Sequence, residues 1–414
     1  MRADANVTTP ALLLRRATLA DGTTCDVRIV GDVVVAVAPS IDPAGHPADE
    51  VVDLEGFLLL TAFVEPHAHL DKAFLADIVP NPTGDLIGAI EAMDTHRHLI
   101  TLADTIERAE RAALLMLSNG ATAIRTHADV TVANGLMSVH ALVEVRERLR
   151  GRVEIQVAAL TGWPSIGPPG ADHRALLREA IAAGVDVIGG CPHLEVDPAR
   201  ANDAFLTVAA DAGLAIDLHT DETLDPRILG LDDLARRLVA SGFEHGVAAS
   251  HCVSLGMQTE HRQREVAERV AGAGISVIAL PHTNLFLQGR HHQTAMPRGL
   301  TAIAALESAG VNLAAGADNL QDPFNPVGRG DPLETAALMI MAGHLPPDDA
   351  LATITHRSRL ALGLAAAGTS VGARADLVAV PARTVRGAIA SAPRPRVVVA
   401  GGRVVHDSRN ALFT

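Results

Sequence analysis

The apolar run FLLLTAFV, residues 57–64, leads directly into EPHAHLDK, residues 65–72. An apolar run of this length is typical of a buried β-strand. On an extended strand, His67 and His69 lie on the same face, because side chains alternate with a period of two. Both imidazoles can therefore reach one metal ion, and the stretch predicts a strand that leads into a metal site.

Further short apolar runs follow, and amphipathic segments separate them. They predict strands at Thr122–Thr126, Val153–Leu160, Val185–Gly189, Ala215–Leu218, Gly246–Ala249, Ser276–Leu280 and Val311–Ala314. The predicted helices between them include Thr105–Leu117, Ala175–Ala183, Asp203–Ala212 and Arg262–Ala273. Roughly eight strand–helix units over about 300 residues predict a (β/α)8 TIM barrel.

Both ends of the chain have β character instead. The strand-like segments there are Leu12–Arg15, Asp26–Val30, Val33–Val37, Asp376–Val380, Arg396–Val399 and Arg403–His406. The dipeptide Gly31-Asp32 predicts a turn between two of them. We therefore expect a small β-sandwich domain built from residues 1–56 and 356–414, with the barrel over residues 57–355 inserted between its two parts.

Composition excludes several classes of function. The net charge is −14 and no run of like charge occurs, whereas nucleic-acid binding needs a basic surface. No apolar stretch reaches the roughly 18 residues of a membrane span, and residues 1–10 lack the apolar core of a signal peptide. The 3 cysteines are far apart and odd in number, which favours a reducing, cytoplasmic location.

Polar residues follow almost every predicted strand. Beyond the first histidine pair they are His127 and Asp129, His193 and Glu195, His219 and Glu222, His251, and Asp318 and Asn319. The carboxyl ends of barrel strands converge on one axis, so these side chains are expected to meet. His67, His69, His219 and Asp318 offer three nitrogens and one oxygen, which suits Zn²⁺ or Fe²⁺ and leaves room for a water. Such an ion lowers the pKa of the water.

Lys72 is the one lysine among 34 lysine and arginine residues. An ammonium is a compact charge whose pKa can be moved, whereas a guanidinium is planar and stays protonated. The position of Lys72, three residues after His69, indicates a site that needs an ammonium. We expect Lys72 to take part in catalysis and to hydrogen-bond a ring oxygen of the substrate; the alternative is a lysine on an ordinary surface loop.

Several spaced motifs resemble the amidohydrolase superfamily, and within it the cytosine deaminase-like group that includes N-isopropylammelide amidohydrolase. They are EPHAHLDK at 65–72, RTHADV at 125–130, DLHTDE at 217–222, ASH at 249–251, LQGR at 287–290, GADN at 316–319 and DPF at 322–324. The resemblance covers nearly the whole chain, including the divided β domain.

This resemblance implies a mononuclear site in which His67, His69, His219 and Asp318 hold one divalent ion. It implies that Glu222 moves a proton between water and a ring nitrogen, and that His251, together with Asp318, orients the attacking water. Some other amidohydrolases bridge two metals with a lysine after the fourth strand. No lysine lies beyond residue 72 here, which excludes such a bridged pair.

The substrate pocket is expected to differ from that of cytosine deaminases. By the resemblance, Thr161 stands where that group has a glutamine, and Asn319 stands where it has an aspartate, so cytosine itself is disfavoured. Trp163 and Phe324 are candidates for stacking on a flat ring, with core or loop packing as the alternative. Together with Lys72 these residues form the expected substrate-binding set.

The function predicted from the sequence is a metal-dependent hydrolase that releases ammonia or a small amine from an amino-substituted nitrogen heterocycle. The expected partner is this small molecule, with no nucleic acid or membrane, and the expected assembly is a homo-oligomer. Two alternatives stay open at this point. One is hydrolysis of a cyclic or acyclic amide at the same mononuclear centre, and the other is a non-catalytic barrel that binds a partner.

Overall fold

A computed structural model describes residues 11–47 and 49–409 and divides into two compact units. One unit comprises the chain up to Phe63, Leu117–Thr122 and the chain from Ala365 onward; the other comprises Val64–Met116 and Ala123–Leu364. The expected absence of a signal peptide concerns residues 1–10, which lie outside the described residues. The domain boundaries at residues 56 and 355 stay a prediction.

The β-strands lie at both chain ends and, in alternation with helices, through the middle. They are β1 (Ala11–Thr18), β2 (Thr24–Val30), β3 (Val33–Ala38), β4 (Glu50–Asp53), β5 (Leu58–Thr61), β6 (Phe63–Ala68), β7 (Ala121–Val130), β8 (Glu154–Thr161), β9 (Val187–Gly190), β10 (Ala215–Thr220), β11 (Val247–His251), β12 (Ser276–Ala279), β13 (Leu313–Ala315), β14 (Leu377–Val380), β15 (Val397–Ala400) and β16 (Arg403–Asp407).

The α-helices fall mainly between the central strands. They are α1 (Leu86–Thr95), α2 (Leu102–Ser118), α3 (Met137–Arg148), α4 (Ala171–Ala182), α5 (Pro198–Ala212), α6 (Gly230–Ser241), α7 (Glu260–Gly272), α8 (Pro281–Leu287), α9 (Ile303–Ser308), α10 (Pro332–Met341), α11 (Pro347–Thr353), α12 (His356–Ala361) and α13 (Val385–Ser391). The four helices named in the sequence analysis are confirmed, with ends that differ by a few residues.

Local signals explain where several helices begin and end. The Asp85 carboxylate accepts a hydrogen bond of 2.8 Å from the Gly88 amide and so caps the first turn of α1. Asp197 caps α5 in the same way, and Pro198 occupies its first turn, where no amide hydrogen is needed. Gly213 ends α5 with a φ of 67°, a conformation that glycine adopts at little cost.

The strands of the chain ends form one sheet, which is the predicted small β-sandwich. Its order is β16-β15-β14-β5-β1-β2-β3, and β4 pairs with β1. Residues such as Leu14, Val27, Ile29, Leu377 and Val399 are buried in its core. The predicted turn at Gly31-Asp32 joins the antiparallel strands β2 and β3.

The first predicted barrel strand was wrong in its first half. The apolar run at residues 57–64 contains all of β5 and the first two residues of β6. Strand β5 belongs to the small sheet and pairs with β14, and the barrel strand β6 begins only at Phe63. An apolar run indicates that both faces of a strand are buried, but it does not indicate which strand pairs with it. The partner is a long-range contact, and here it changes within one run.

The remaining strands form the predicted (β/α)8 barrel. Strands β6 to β13 lie side by side in chain order. An isolated parallel bridge between Ala68 and Asp318 connects the two ends of this sheet. The eight predicted barrel strands are thus confirmed in number and order, apart from the correction to the first.

Several barrel strands extend further toward the carboxyl side than predicted. Strand β7 runs to Val130, so His127 and Asp129 lie within it, as Arg125 does, and not after it. Their spacing of two puts these three side chains on one face of the strand. In the same way Asp217 and His219 share a face of β10. The longer strands therefore carry polar residues into the barrel interior at successive depths.

Within residues 11–47 and 49–409, no helix combines the length and the apolar character that a membrane crossing requires.

Candidate metal centre and active site

Three histidines from two parts of the barrel meet at the carboxyl ends of its strands. His67 lies near the end of β6, His69 follows that strand, and His219 lies near the end of β10. The Nε2 atom of His219 is 3.2 Å from the Nε2 atom of His67 and 3.2 Å from that of His69. All three side chains are buried. The predicted metal-binding histidines are therefore brought together.

Asp318 joins this group because its backbone pairs with the strand that carries the first histidines. The Asp318 amide donates to the His67 carbonyl oxygen at 3.0 Å, and the His69 amide donates to the Asp318 carbonyl oxygen at 3.2 Å. The Oδ1 atom of Asp318 lies 3.2 Å from His69 Nε2 and 3.7 Å from His67 Nε2. Asp318 has a φ of 65°, a rare conformation outside glycine that is typical of functional sites.

Glu65 fixes the backbone on both sides of this contact. Its carboxylate accepts hydrogen bonds from the amide of Ala317, at 3.0 and 3.1 Å, and from the amide of His67, at 3.2 Å. A side chain at Gly316 would collide with the Glu65 carboxylate, which explains the glycine there. The strand with the histidines and the segment with Asp318 are thus held in one register.

The chemistry of this group fits a divalent cation. Burial lowers the pKa of His67 and His219 well below the usual value, and burial followed by Lys72 lowers that of His69 to about 3. The imidazoles are therefore neutral. The Oδ1 atom of Asp318 is buried and has no hydrogen-bond partner among the described residues. The three imidazoles converge, and Asp318 Oδ1 contacts two of them. Zn²⁺ and Fe²⁺ accept imidazole and carboxylate ligands of this kind.

His251 reaches the same centre with a defined tautomer. Its Nδ1 atom lies 2.9 Å from Asn284 Oδ1, and the amide of Asn284 donates to the Gly299 carbonyl oxygen at 2.9 Å. Asn284 therefore presents its oxygen, so His251 carries its proton on Nδ1. The free Nε2 atom lies 3.9 Å from Asp318 Oδ2 and has no hydrogen-bond partner among the described residues.

Glu222 is the buried acid beside this histidine. One of its carboxyl oxygens lies 3.6 Å from His251 Nδ1, and the residue lines the central cavity. Burial, followed by the charge of Asp318, raises the pKa of Glu222 well above its usual value. Glu222 thus lines the cavity next to His251, and its role as proton carrier stays a prediction.

Lys72 lies in the cavity wall as part of a charged cluster that the sequence analysis did not describe. Its Nζ atom is 2.6 Å from Asp129 Oδ1, 3.5 Å from Asp71 Oδ1 and 3.2 Å from His69 Nδ1. Burial lowers the pKa of Lys72, but Asp129 and Asp71 outweigh it and the net shift is upward. Lys72 is therefore a permanent ammonium, and the alternative of an ordinary surface lysine was wrong.

Asp129 was expected near the strand ends but was given no role in the sequence analysis, and Arg97 was not named there. Both line the cavity, and Arg97 Nη2 lies 3.5 Å from Asp129 Oδ2. A signal for Asp129 was present in the sequence, because it follows His127 by two residues and strand alternation puts both on one face. No local signal marks Arg97, which lies after α1 and reaches the cavity only through the fold.

A cavity of about 270 Å³ opens in front of these residues. All the predicted catalytic and substrate-binding residues line it, and His67 lies behind its wall. The lining set includes His69, Lys72, Asp129, Thr161, Trp163, His219, Glu222, His251, Asp318, Asn319 and Phe324. Trp163 and Phe324 thus both reach the cavity.

Part of the cavity lining is apolar. Leu86, Ile90 and Met93 contribute aliphatic surface from α1. Phe324 packs against the hydrophobic cluster that contains Met93, and Trp163 is 39% exposed. Two aromatic rings and an aliphatic wall form a surface that suits a flat ring.

Thr161 and Asn319 are less free to bind a ligand than their positions alone indicate. The Asn319 amide donates to Asp322 Oδ2 at 2.7 Å, so one end of the side chain is occupied. Thr161 is 2% exposed, and its hydroxyl lies 3.5 Å from the Ala159 carbonyl oxygen. Both residues border the cavity, but neither offers the two adjacent hydrogen-bonding groups of a free carboxamide.

The remaining polar residues near the strand ends support the site from outside. His193 Nδ1 contacts the His219 carbonyl oxygen at 2.9 Å, and the His127 ring lies 4.0 Å from the His67 ring, centre to centre. Cys252 is a buried free thiol beside His251. None of the three is placed to touch a substrate as the predicted site residues are.

Comparison with known proteins agrees with this geometry. The model of the amidohydrolase family designated Amidohydro_3 matches residues 75–406. The chain belongs to the amidohydrolase family. Membership and the buried histidine cluster together support a divalent metal site, and the resemblance drawn from the motifs is confirmed.

Relatives of this amidohydrolase act on nitrogen heterocycles. It is 33% identical over 414 residues to pterin deaminase from Rhizobium rhizogenes, covering 97% of this chain and 93% of that protein. The structure of 5-methylcytosine deaminase from Klebsiella pneumoniae liganded with 5-fluorocytosine superimposes with a TM-score of 0.87 at 27% identity, covering 96% and 97% of the two chains.

A third relative releases an amine. N-isopropylammelide isopropylaminohydrolase from Burkholderia multivorans superimposes with a TM-score of 0.84 at 32% identity, covering 96% of this chain and 98% of that one. The family and these relatives identify the protein as a hydrolase that acts on carbon–nitrogen bonds.

Proposed function

We propose that this amidohydrolase is a hydrolytic deaminase of amino-substituted nitrogen heterocycles that works with a single Zn²⁺ or Fe²⁺ ion. The observation that carries the proposal is the meeting of the Nε2 atoms of His67, His69 and His219, with Asp318 Oδ1 3.2 Å from His69 Nε2. Glu222 and His251 line the cavity beside this group.

His67, His69, His219 and Asp318 would hold the ion. A divalent cation there supplies an activated water, because its charge lowers the pKa of that water. His69 would hold the ion through Nε2 and carry its proton on Nδ1, so it would not accept a hydrogen bond from Lys72. One donor of the ammonium would then be available for the substrate.

Glu222 is the group that moves the proton. No hydrogen bond from the described residues to its carboxyl oxygens is found, although the side chain is buried, so both oxygens are free to serve water and substrate. A carboxyl group within hydrogen-bond reach of both can take a proton from the water and deliver it to a ring nitrogen. Protonation of the ring prepares the carbon–nitrogen bond for loss of the amine.

His251 supports the attack from a position beside Asp318. The hydrogen bond to Asn284 keeps the proton of His251 on Nδ1, so the Nε2 lone pair of His251 faces the metal centre. A lone pair in this position can accept a hydrogen bond from the attacking water and direct it toward the ring carbon. Asp318 Oδ2 lies near enough to share this task.

Lys72 and Asp129 provide the polar wall that recognises the ring edge. The ammonium donates and the carboxylate accepts, and the two are 2.6 Å apart. A ring that carries a carbonyl oxygen next to an N–H presents the complementary pattern. Burial raises the pKa of Asp129, but Lys72 and, after it, Arg97 outweigh burial and lower this pKa, so the carboxylate stays ionised.

The substrate class follows from the cavity and the relatives together. The cavity of about 270 Å³ is large enough for one- or two-ring heterocycles. The named relatives act on a pterin, on 5-methylcytosine and on N-isopropylammelide. We therefore propose amino-oxo heterocycles of the pterin, aminopyrimidine and aminotriazine types as substrates. Cytosine is expected to be poor, because Thr161 lacks the bidentate amide of a glutamine.

The test is ammonia or amine release from a panel of such heterocycles by protein loaded with Zn²⁺ or Fe²⁺. Turnover should disappear on chelation, return with metal, and fall by at least about 10²-fold in Glu222→Gln. Ring opening without amine release would assign the protein to cyclic amide hydrolysis instead. A protein that binds no metal and turns over nothing would be the non-catalytic barrel.

Two further properties belong to the proposal. The three free thiols fit a reducing cytoplasm, and a homo-oligomer is expected in solution. Light scattering coupled to size exclusion gives the mass of the assembly, and a mass of 43.1 kDa would contradict the oligomer.

A further inference from the structure

A continuous row of buried polar groups lies directly behind His67. The guanidinium of Arg125 donates to Asp217 Oδ2 at 2.9 Å, the Ser250 hydroxyl lies 2.8 Å from Asp217 Oδ1, and the same hydroxyl lies 2.9 Å from His67 Nδ1. All four residues are at most 2% exposed. They come from four different strands, β7, β10, β11 and β6.

The positions of the protons follow from this row. Arg125 can only donate, and a carboxylate beside it can only accept. Asp217 therefore takes the single proton of the Ser250 hydroxyl, and the Ser250 oxygen is left as an acceptor toward His67. His67 must then carry its proton on Nδ1, so the Nε2 atom presents a lone pair to the three other ligand atoms.

The other two histidines of the centre lack such an arrangement. His219 Nδ1 has no hydrogen-bond partner among the described residues. His69 Nδ1 lies 3.2 Å from the Lys72 ammonium, which is itself a donor and favours the opposite tautomer. Among these three imidazoles, His67 alone has a neutral acceptor at Nδ1. Its Nε2 lone pair is therefore available to a cation before any cation binds.

We infer that Ser250, Asp217 and Arg125 are positioning residues that fix the metal-binding tautomer and the ring orientation of His67. The inference rests on the metal site of the proposed function, and it does not depend on the substrate. Without the acceptor, the buried N–H of His67 is unsatisfied and the second tautomer, with its proton directed at the cation, becomes populated. Groups that hold a metal-bound histidine in this way typically change metal affinity by about 10–100-fold.

The chain offers a matched control for a test. Ser254 lies four residues after Ser250, is equally buried, and its hydroxyl has no hydrogen-bond partner among the described residues. Ser250→Ala and Ser254→Ala thus remove the same atom from two fully buried positions. Only the first removes the acceptor of His67.

The experiment measures Zn²⁺ affinity of metal-free protein by competition with a chromophoric chelator, together with the melting temperature of each metal-free variant. Ser250→Ala should bind Zn²⁺ about 10–100-fold more weakly, Ser254→Ala within about 2-fold of the original protein, and Ser250→Thr, which restores a hydroxyl, closer to the original than Ser250→Ala. The metal-free melting temperatures separate weak binding from poor folding.

Two results would overturn the inference: unchanged Zn²⁺ affinity in Ser250→Ala, or an equal loss in Ser250→Ala and Ser254→Ala. Should Ser250→Ala fail to fold, Asp217→Asn takes its place. An asparagine amide can donate to the Ser250 oxygen, and the Ser250 hydroxyl would then donate to His67 Nδ1. This substitution should therefore also weaken Zn²⁺ binding. Unchanged Zn²⁺ affinity would contradict the inference. If the heterocycle panel gives no amine while these affinities change as stated, the proposed function fails and the tautomer assignment stands.

Discussion

Lys72 shows how one residue can be identified from sequence and explained only by structure. Its uniqueness predicts a position where an ammonium is needed and a guanidinium does not serve. The structure supplies the reason, since Lys72 is 4% exposed and lies between two carboxylates and the ring of His69. A compact ammonium can contact three partners from one position, whereas a planar guanidinium needs more room and a fixed orientation.

We predict that Lys72→Arg retains the charge and loses most of the activity. The larger guanidinium cannot occupy the same buried point without moving Asp129 or His69, so kcat/KM for the best heterocycle should fall by at least about 10²-fold. Steady-state kinetics measures this. Bound metal per chain serves as the control, and activity within about 3-fold at full metal content would remove Lys72 from substrate recognition.

Asp129 provides the complementary prediction at the same position. Asp129→Asn keeps the shape of the side chain and can still accept from Lys72, but it loses the charge that faces Lys72 and Arg97. We expect a higher KM, by about 10-fold or more, because a buried charged partner is removed from the wall that reads the ring edge. Unchanged KM and kcat across the panel would show that this wall does not contact the substrate.

At the scale of elements, α6 and α7 are joined by one aspartate. Asp232, in the first turn of α6, accepts from Arg236 on the same helix and from Arg262 and Arg269 on α7, and it is 5% exposed. The helix dipole also stabilises an acidic side chain in the first turn. These helices follow the strands that carry His219 and His251, so their packing supports the positions of two site residues.

We predict that Asp232→Asn lowers the free energy of unfolding by about 1–3 kcal/mol, because three guanidinium groups lose one buried anionic partner. Urea unfolding followed by circular dichroism measures the change. Asp211→Asn at the exposed end of α5 is the control and should change stability by less than about 0.5 kcal/mol. Equal effects of the two substitutions would assign no special role to Asp232.

At the scale of the whole molecule, the metal centre and the closure of the barrel coincide. The parallel bridge between Ala68 and Asp318 joins the first barrel strand to the segment after the last one, next to His67 and His69. An ion held by these residues would connect both ends of the barrel sheet. Binding and stability of the barrel are therefore expected to be linked.

We predict that metal removal lowers the melting temperature of the full chain. A ligand that binds only the folded state at a free concentration of 100 times its Kd adds about 2.7 kcal/mol to the free energy of unfolding. Differential scanning calorimetry with Zn²⁺ and with chelator measures the shift. His219→Ala should show little or no metal-dependent shift, and identical melting of the original protein in both conditions would argue against an ion in this place.

The sequence was a good guide to elements and a weaker guide to their partners. The barrel strands after the first were predicted in order, because apolar runs and amphipathic segments are local patterns. The error at residues 57–64 arose because one run serves two sheets. The same holds for the site residues. The motif at 65–72 predicted potential metal ligands, whereas Arg97 was missed because it lies in no local motif that indicates a functional residue.

By itself the sequence determined the type of elements, the barrel architecture and the chemistry of the site, since these depend on residue types and on short periods along the chain. Only the tertiary structure decided that Asp318 pairs with the strand of His67, that Lys72 meets Asp129, and that Ser250 and Asp217 stand behind His67. These contacts are hydrogen bonds and ion pairs between strands and loops far apart in the chain. Their geometry is set by how the barrel closes, and no local pattern of residues encodes it.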